Sequence, residues 1–329
     1  MRFISNNGIT DPGINLAIEE YALKHLDPED TYLLFYVNGP SIIIGKNQNT
    51  IEEINREYVE KNGIKVVRRL SGGGAVYHDT GNLNFSFITK DDGESFHNFR
   101  KFTQPVVDAL RKLGVEAELT GRNDLQVGER KISGNAQYTT KGRMFSHGTL
   151  LLDSEMENVV SALNVSDEKI RSKGIKSIRS RVANINEFLD EPLTMDEFKS
   201  LLLRYIFEES EEIPEYKLTE EDWKGIERIS AERYRNWEWN YGKSPKFDLK
   251  RSKRFDAGTV DIRLDIRKGT ITDCKIYGDF FGVGEVVDVE KALIGSRYER
   301  SEIMKALGNL DTKHYFGPIP QEDLANLIY

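Results

Sequence analysis

Three consecutive glycines, Gly72-Gly73-Gly74, sit between two extended segments in the stretch Arg68-Arg69-Leu70-Ser71-Gly72-Gly73-Gly74-Ala75-Val76-Tyr77-His78-Asp79. A strand reads from Ile64 to Leu70 and resumes at Ala75, so the backbone turns where it carries no side chains. Bare backbone at a turn admits a ligand to the main chain and leaves N–H groups free to point at it. Two arginines before the glycines and a His-Asp pair after them suit a small anion held by backbone donors and a cation. A β-bulge or loose hairpin with charged flanks explains the same glycines, and on the glycines alone it is the commoner case.

The rest of the chain decides between these readings. Its 329 residues exceed one typical domain, and 38% apolar content suffices for a core. A net charge of −8 argues against non-specific nucleic-acid binding. The single cysteine, Cys274, excludes a disulfide framework and a cysteine-rich metal site. The N-terminus has no apolar signal core and no run approaches membrane-spanning length, which sets a soluble cytoplasmic protein as the expectation, with monomer as the default oligomeric state.

Asp11-Pro12 reads as N-cap and first residue of a helix reaching about Leu26, with Ile14, Ile18, Tyr21 and Ala22 on one face. Strands follow at 32–37 and 41–44, then a helix over 51–62. Phe99, Phe102, Val106, Leu110 and Leu113 have helical spacing, with Gly114 closing the helix and Pro105 either kinking it or marking its start. A strand-rich block spans 121–152. Thr194 with Glu197 and Thr219 with Asp222 are capping pairs that open two later helices. Strands and helices mix without a βαβ repeat, so the class expected is α+β. Gly242-Lys243-Ser244-Pro245 reads as a linker. Beyond it, Phe255–Ile266 and Ile271–Tyr277 read as strands, and Gly278-Asp279-Phe280-Phe281-Gly282 as the lead into a third. Helices over 288–294 and 300–308 complete a small C-terminal unit. The expected division is 1–245 and 246–329.

Familiar nucleotide motifs fail. Gly39 to Lys46 has five residues between its glycines, lacks the final Ser or Thr, and reads as turn–strand–turn. His78 and Asp79 are adjacent, so in a strand they face opposite ways and form no relay. The scattered histidines give no zinc spacing, whereas magnesium held by a carboxylate and a substrate phosphate would leave little trace. Lys131, in Arg130-Lys131-Ile132-Ser133-Gly134, is either a fixed inward cation or a lysine on a solvated face, and spacing alone favours the second. Lys169 to Arg181 carries six basic residues and no acid, a local anion-attracting patch or a charged loop.

Taken in order, these segments resemble the lipoate–protein ligase A family, relatives of the biotin protein ligases. The matching pieces are Arg69 to Asn82, Gly45-Lys46-Asn47-Gln48-Asn49, Gly121-Arg122-Asn123-Asp124 and Lys131-Ile132-Ser133-Gly134-Asn135-Ala136. His147-Gly148-Thr149-Leu150-Leu151, Ser180-Arg181-Val182-Ala183-Asn184 and Tyr277-Gly278-Asp279-Phe280-Phe281-Gly282 follow. The resemblance covers essentially the whole chain. It implies a biotin-protein-ligase-like fold of mixed sheets with flanking helices, plus a small α+β accessory domain. It also implies an ATP- and Mg2+-dependent reaction in which lipoate becomes lipoyl-adenylate and is then passed to a lysine of an apo lipoyl carrier. The carriers would be lipoyl domains of 2-oxoacid dehydrogenases or the glycine-cleavage carrier protein.

By the same resemblance Lys131 is the catalytic cation. Arg69, Ser71, Gly72, Gly73, Gly74, Ala75 and Val76 shape the lipoyl and adenylate site, joined by His78 and Asn82. Asn123 serves the phosphate region, and Asp124 neighbours the magnesium. Gly134, Ala136, His147 and Thr149 line the acyl or carbonyl end, and Lys173 and Arg181 belong to an adenylate loop. Two other functions fit a similar chain: an ATP-independent octanoyl or lipoyl transferase fed by a carrier protein, and a non-catalytic binder of lipoyl-adenylate. The first, in its cysteine-dependent form, would need Cys274 to reach the glycine loop.

Overall fold

The computed structural model describes residues 1–163, 181–208, 210, 212–241, 249–267 and 269–329. The chain divides into two compact units. One comprises Met1–Ile43, Glu52–Arg68 and Val76–Asn240; the other comprises Ile44–Ile51, Arg69–Ala75 and Tyr241–Tyr329.

The first unit is built on a seven-stranded sheet. In chain order its strands are β1 (Arg2–Ser5), β2 (Tyr32–Val37), β6 (Asn82–Lys90), β7 (Glu118–Thr120), β8 (Asp124–Val127), β9 (Arg130–Thr140) and β10 (Arg143–Leu151). They lie in the order β1-β2-β6-β10-β9-β8-β7, and only the β1–β2 pair is parallel. A second sheet sets β3 (Ser41–Ile44) between β4 (Lys65–Arg68) and β5 (Val76–His78). The expected strands on both sides of the glycines are present, the first shortened to Lys65–Arg68 and the second starting one residue later, at Val76.

Alternation decides which face of the large sheet is dry. In β6 the residues Leu83, Phe85 and Phe87 point one way and join Leu33, Phe35, Met144 and Leu150 in the core. Each such buried side chain contributes roughly 1.5–3 kcal/mol. The helices α2 (Phe99–Lys112) and α3 (Met195–Ile206) supply Phe102, Val106, Leu110, Phe198 and Leu202 to the same core. Pro105 lies inside α2, whose N-cap is Asn98, so it does not start the helix. It sits one turn after exposed Lys101, where water can take up the carbonyl that a proline N–H cannot reach.

The opposite face is covered by α1 (Pro12–His25), capped as expected by the Asp11 carboxylate, which accepts from the Gly13 and Ile14 N–H groups. This helix is buried well beyond the single apolar face read from sequence, since Asn15, Glu19 and Glu20 are buried with Ile14 and Ile18. Polar residues hide in an internal helix only when partnered, and each of the three is. Both Thr194 and Thr219 form the expected capping boxes, at α3 and at α4 (Glu220–Ile229). After α4 the chain widens into a π-type turn over Ser230–Tyr234, with the Arg235 N–H donating to the Ser230 carbonyl, and α5 (Trp237–Asn240) follows.

In the second unit β11 (Leu249–Phe255), β12 (Gly258–Arg267) and β13 (Thr270–Gly278) form an antiparallel sheet. The third strand therefore precedes the other two. The segment after Gly278 is not a strand: the Val283 and Gly284 N–H groups both donate to the His314 carbonyl instead of to a neighbouring strand. Helices α6 (Val286–Leu293), α7 (Arg300–Gly308), α8 (Thr312–Phe316) and α9 (Gln321–Ile328) close the core around Leu264, Ile276, Phe280 and Phe316. Residues 242–245, read as a linker, lie outside the described residues.

Candidate active site

The face of the large sheet that looks toward α1 is polar where a sheet interior is normally apolar. Asn82, Asn84 and Ser86 of β6 alternate with the core residues and stand opposite Leu151, Thr149 and His147 of β10. His147 in turn stands opposite Ala136 of β9, and Gly134 stands opposite Asp124 of β8. Asn82, Asn84 and Ser86 are at most 2% exposed. The Asn82 side-chain oxygen Oδ1 and the Ser86 hydroxyl are buried with no hydrogen-bond partner among the described residues. Buried polar atoms left over in a well-made sheet mark a place where a ligand or water completes the bonding. Across the strands the stripe passes from these buried amides to Lys131 and Asp124, whose side chains are 37% and 33% exposed.

Lys131 reaches this face because of a bulge. The β8–β9 register pairs Leu125 with Ser133 and Gln126 with Lys131, so Ile132 is an extra residue. In a regular strand residues 131 and 134, three apart, would point to opposite sides. With the bulge, the Lys131 ammonium lies over Gly134, where an added Cβ would come within 3.1 Å of Nζ, and pairs with Asp124 Oδ1 at 2.8 Å. The backbone of Lys131 is held on its other side by the segment carrying Arg181. Lys131 donates to the Arg181 carbonyl (2.7 Å) and accepts from the Ala183 N–H (2.9 Å). The Gly134 N–H donates to Thr149 Oγ1 at 3.2 Å. Asn123 is stitched to Asn135, its amide donating to the Asn135 carbonyl at 2.6 Å. Lysine, carboxylate, threonine and glycine thus share one strand-end neighbourhood.

His147 faces inward along the same stripe. Its Nδ1 lies 2.9 Å and 3.1 Å from the two carboxylate oxygens of Glu19 on α1, so the proton sits on Nδ1 and the other ring nitrogen is aimed away from the helix. Glu19 was missed from sequence, as were Asn84 and Ser86. The last two carried a signal: polar residues alternating with Leu83, Phe85 and Phe87 in a long strand must be buried if that strand is central. The next glutamate, Glu20, points to the other side of α1 and binds Tyr234 Oη (2.8 Å), Arg233 Nε (3.1 Å) and Lys24. A cavity of about 840 Å3 opens there, bordered by His25, Arg228 and Trp239.

Two candidates lie off the stripe. His78, on β5, accepts from Asn38 Nδ2 at 3.0 Å, and Asn38 in turn joins a buried amide chain through Asn15 to Asn6. Val76 opens the same short strand. Lys173 and the patch up to Arg179 lie outside the described residues, so only Arg181 of the basic segment is placed.

The glycine loop, Arg69 to Ala75, belongs to the second unit. The Arg69 side chain, 6% exposed, folds back along it, donating to the Gly72 carbonyl (2.7 Å), the Gly74 carbonyl (2.8 Å) and Ser71 Oγ (3.0 Å). The Ser71 carbonyl accepts from the Lys46 N–H, and Gly45 packs so closely on the Gly73 backbone that no side chain fits there. Lys46 Nζ pairs with Glu285 at 2.9 Å. The neighbouring arginine, Arg68, serves the first unit: it donates to the Trp239 carbonyl while Trp239 Nε1 donates to the Arg68 carbonyl.

Among the described residues no helix is long and apolar enough to cross a membrane, and no cluster of three or more His, Cys, Asp or Glu residues could cage a metal. Mg2+ takes one or two protein carboxylates and completes its shell with phosphate oxygens and water, and Asp124, a third exposed beside Lys131, is a carboxylate of that kind. Cys274 is fully buried in β13, and burial pushes its thiol pKa far up, which rules it out as a thiolate nucleophile.

Comparison with known proteins gives a consistent answer. Residues 11–207 match the lipoyl protein ligase A/B catalytic domain, and residues 244–328 match the bacterial lipoate protein ligase C-terminus. The chain is 67% identical to lipoate-protein ligase LplJ of Bacillus subtilis and 60% identical to lipoate–protein ligase 1 of Staphylococcus aureus, covering 100% of both chains in each case. Among solved structures, P. falciparum LipL1 in complex with lipoate superposes with a TM-score of 0.76 at 23% identity, covering 94% of each chain. The bipartite lipoate protein ligase of Thermoplasma acidophilum, solved as part of a study with its E2 lipoyl domain, matches at 35% identity and TM-score 0.66, over 75% of this chain and 98% of that one. A lipoate-protein ligase A bound with ATP matches at 31% identity and TM-score 0.62, over 73% and 98%.

Proposed function

The chain belongs to the lipoate–protein ligase family, and from that premise we propose how its own residues carry out ATP-dependent ligation of lipoate. The reaction has two steps. A carboxylate oxygen of lipoate attacks the α-phosphorus of ATP, the bond to the β,γ-diphosphate breaks, and lipoyl-adenylate and pyrophosphate result. The ε-amine of a lipoyl-domain lysine then attacks the acyl carbon and expels AMP, losing a proton.

The observation that carries the residue assignment is Lys131 held by a β-bulge at the open end of a buried polar stripe. Bringing two anions together needs a fixed cation, and one that is preorganised costs no rearrangement as charge builds in the transition state. Lys131 is that cation. The carboxyl end of the substrate lies by it, with Thr149 and Gly134 beside. Ala136 and His147 line the path inward, toward the orphaned atoms of Asn82 and Ser86. Asp124, which holds Lys131 at 2.8 Å, is the carboxylate available to a magnesium ion arriving with the triphosphate; the metal would neutralise phosphate charge. Asn123 supports Asp124 from the preceding turn, and Arg181 and Lys173 serve the phosphates. In the second unit, Arg69 and Ser71 fix the loop of Gly72, Gly73, Gly74 and Ala75, which continues into Val76 and takes up the lipoyl ligand through its backbone. In the first unit, His78 is placed by its bond from Asn38 and joins the set of lipoyl-binding residues.

The proposal assigns the chemistry to residues 1–245 and an accessory role to 246–329. Its acceptors are the lipoyl domains of 2-oxoacid dehydrogenases and the glycine-cleavage carrier protein, and it keeps the cytoplasmic, monomeric setting expected from sequence. Intact-mass measurement of each purified apo carrier with this protein, magnesium and lipoate, with and without ATP, tests it. A lipoyl-sized gain only with ATP supports the ligase. A gain without ATP from an acylated carrier donor would replace it by a transferase, and no gain with no pyrophosphate by a binder.

A further inference from the structure

The edge of the second unit's sheet is strongly basic in a chain that is acidic overall. β11 reads Leu249-Lys250-Arg251-Ser252-Lys253-Arg254-Phe255, four cations among its five central residues, against a net charge of −8 for the chain. All five are exposed, and only the end residues Leu249 and Phe255 pack on the core of this unit. The strand pairs with β12 alone, so among the described residues its other edge meets no strand. Lys250 has an acid in Asp261 at 3.4 Å and Lys253 one in Asp323 at 3.8 Å, both loose and open to water. Arg251 and Arg254 have no hydrogen-bond or ion-pair partner among the described residues. Three apart in a strand, they point to opposite faces, so what they share is the edge itself. One or two lysines suffice to keep a free edge from pairing with a second copy. Arginine adds something else, a planar fork that grips a carboxylate through two N–H groups.

We infer that β11 is a docking edge for the protein acceptor: an acidic segment of the apo lipoyl carrier lies along it, with carboxylates on Arg251 and Arg254. This rests on the reading of the chain as a ligase that passes lipoate to a carrier. ATP and lipoate are taken up by the residues already assigned, none of which lies on β11, so the carrier is the substrate left for this surface. A polypeptide fits it better than a nucleic acid does. The free edge offers main-chain N–H and C=O groups that another strand complements, and the chain's net charge repels a polyanion. A second copy of this chain is disfavoured, because its own β11 would bring like charge. Exposed charges at an interface act on encounter and orientation more than on chemistry, so the edge should set how readily the carrier is captured and leave adenylation alone.

The test uses the full chain carrying Arg251→Glu with Arg254→Glu. A control carries Lys291→Glu with Lys305→Glu, an equal change of net charge at exposed positions of α6 and α7. Pyrophosphate release from ATP and lipoate is followed without carrier, and lipoyl transfer by intact mass over a range of concentrations of a purified apo lipoyl domain. The arginine variant should keep its melting temperature and pyrophosphate release, with KM for the carrier raised about tenfold and kcat within about twofold of wild type. Added salt should raise KM for the carrier in wild type and change it little in the variant. The control should keep the wild-type KM. A carrier KM within about twofold of wild type in the arginine variant would overturn the inference, as would an equal rise in the control, which would make it an effect of net charge. A wild-type KM in a variant that has lost binding to a short DNA duplex would hand the edge to nucleic acid. If wild type itself modifies no apo carrier, the ligase reading falls and takes the inference with it; if wild type transfers normally, only the role of β11 is at stake.

Discussion

Lys131 shows how much a single strand irregularity can do. One extra residue, Ile132, turns the ammonium from a position that alternation would send to the other side onto the face that carries Thr149 and Asp124. Because the side chain is more than a third exposed, its pairing with Asp124 contributes little to stability. Lys131→Ala should therefore leave the melting curve in place while reducing pyrophosphate release from ATP and lipoate by roughly a hundredfold or more; turnover near wild type would remove the lysine from the mechanism. Glu19 is the opposite kind of residue, a buried carboxylate whose partner is His147. Replacing it by alanine leaves a buried imidazole N–H without an acceptor, and urea unfolding should show a loss of about 1–3 kcal/mol. An unchanged midpoint would mean that water replaces the carboxylate. The sequence could nominate Lys131, since it lies among small residues in a strand-rich block. It could not show Glu19, because a glutamate in a helix looks solvated until a sheet is placed against it.

At the scale of elements, the capping box that opens α4 also ties that helix to α1. Burial raises the Asp222 carboxyl pKa, but the Thr219 backbone N–H and hydroxyl, with the Tyr21 and Tyr216 hydroxyls, outweigh it and hold the group below the usual carboxylate value. The same contact pushes the Tyr21 hydroxyl up to about 12, chiefly through burial and then through Asp222. A depressed carboxyl contributes stability above the pKa it has when unfolded, and that contribution is lost as pH falls through the folded value. Wild type should accordingly lose stability below about pH 4, as the unfolded carboxylates begin to take up protons. Asp222→Asn should be less stable than wild type at pH 7 by about 1–3 kcal/mol and should show a shallower acid limb in pH-dependent urea unfolding. Parallel acid limbs for the two proteins would refute the assignment. This cap was legible, because Thr219 and Asp222 announce themselves by spacing. The two tyrosines that complete it were not, since Tyr21 lies some two hundred positions away in the chain.

Over the whole molecule, the second unit is not a contiguous C-terminal piece: Ile44–Ile51 and Arg69–Ala75 pack with Tyr241–Tyr329. Phe280 and Phe281 cover Gly72 and Gly73, Glu285 pairs with Lys46, and the Gly278 N–H donates to the Asn47 carbonyl at 2.6 Å. A chain ended at residue 241 should keep its α2–α3 core yet lose order in both loops. Limited trypsin digestion should then cut at Lys46 and Arg69 far faster than in the full chain; equal cutting rates would show that the loops stand without their covering. The sequence by itself determined the α+β class, the helix caps, the glycine turn and the family, because each rests on residues close together or on motifs kept in order. Only the tertiary structure decided which polar residues are buried together, that Phe280 and Phe281 cover two of the three glycines, and that the strand beside β12 is β11 rather than the segment after Gly278. Those facts depend on pairing and close approach between distant segments, which local spacing does not encode.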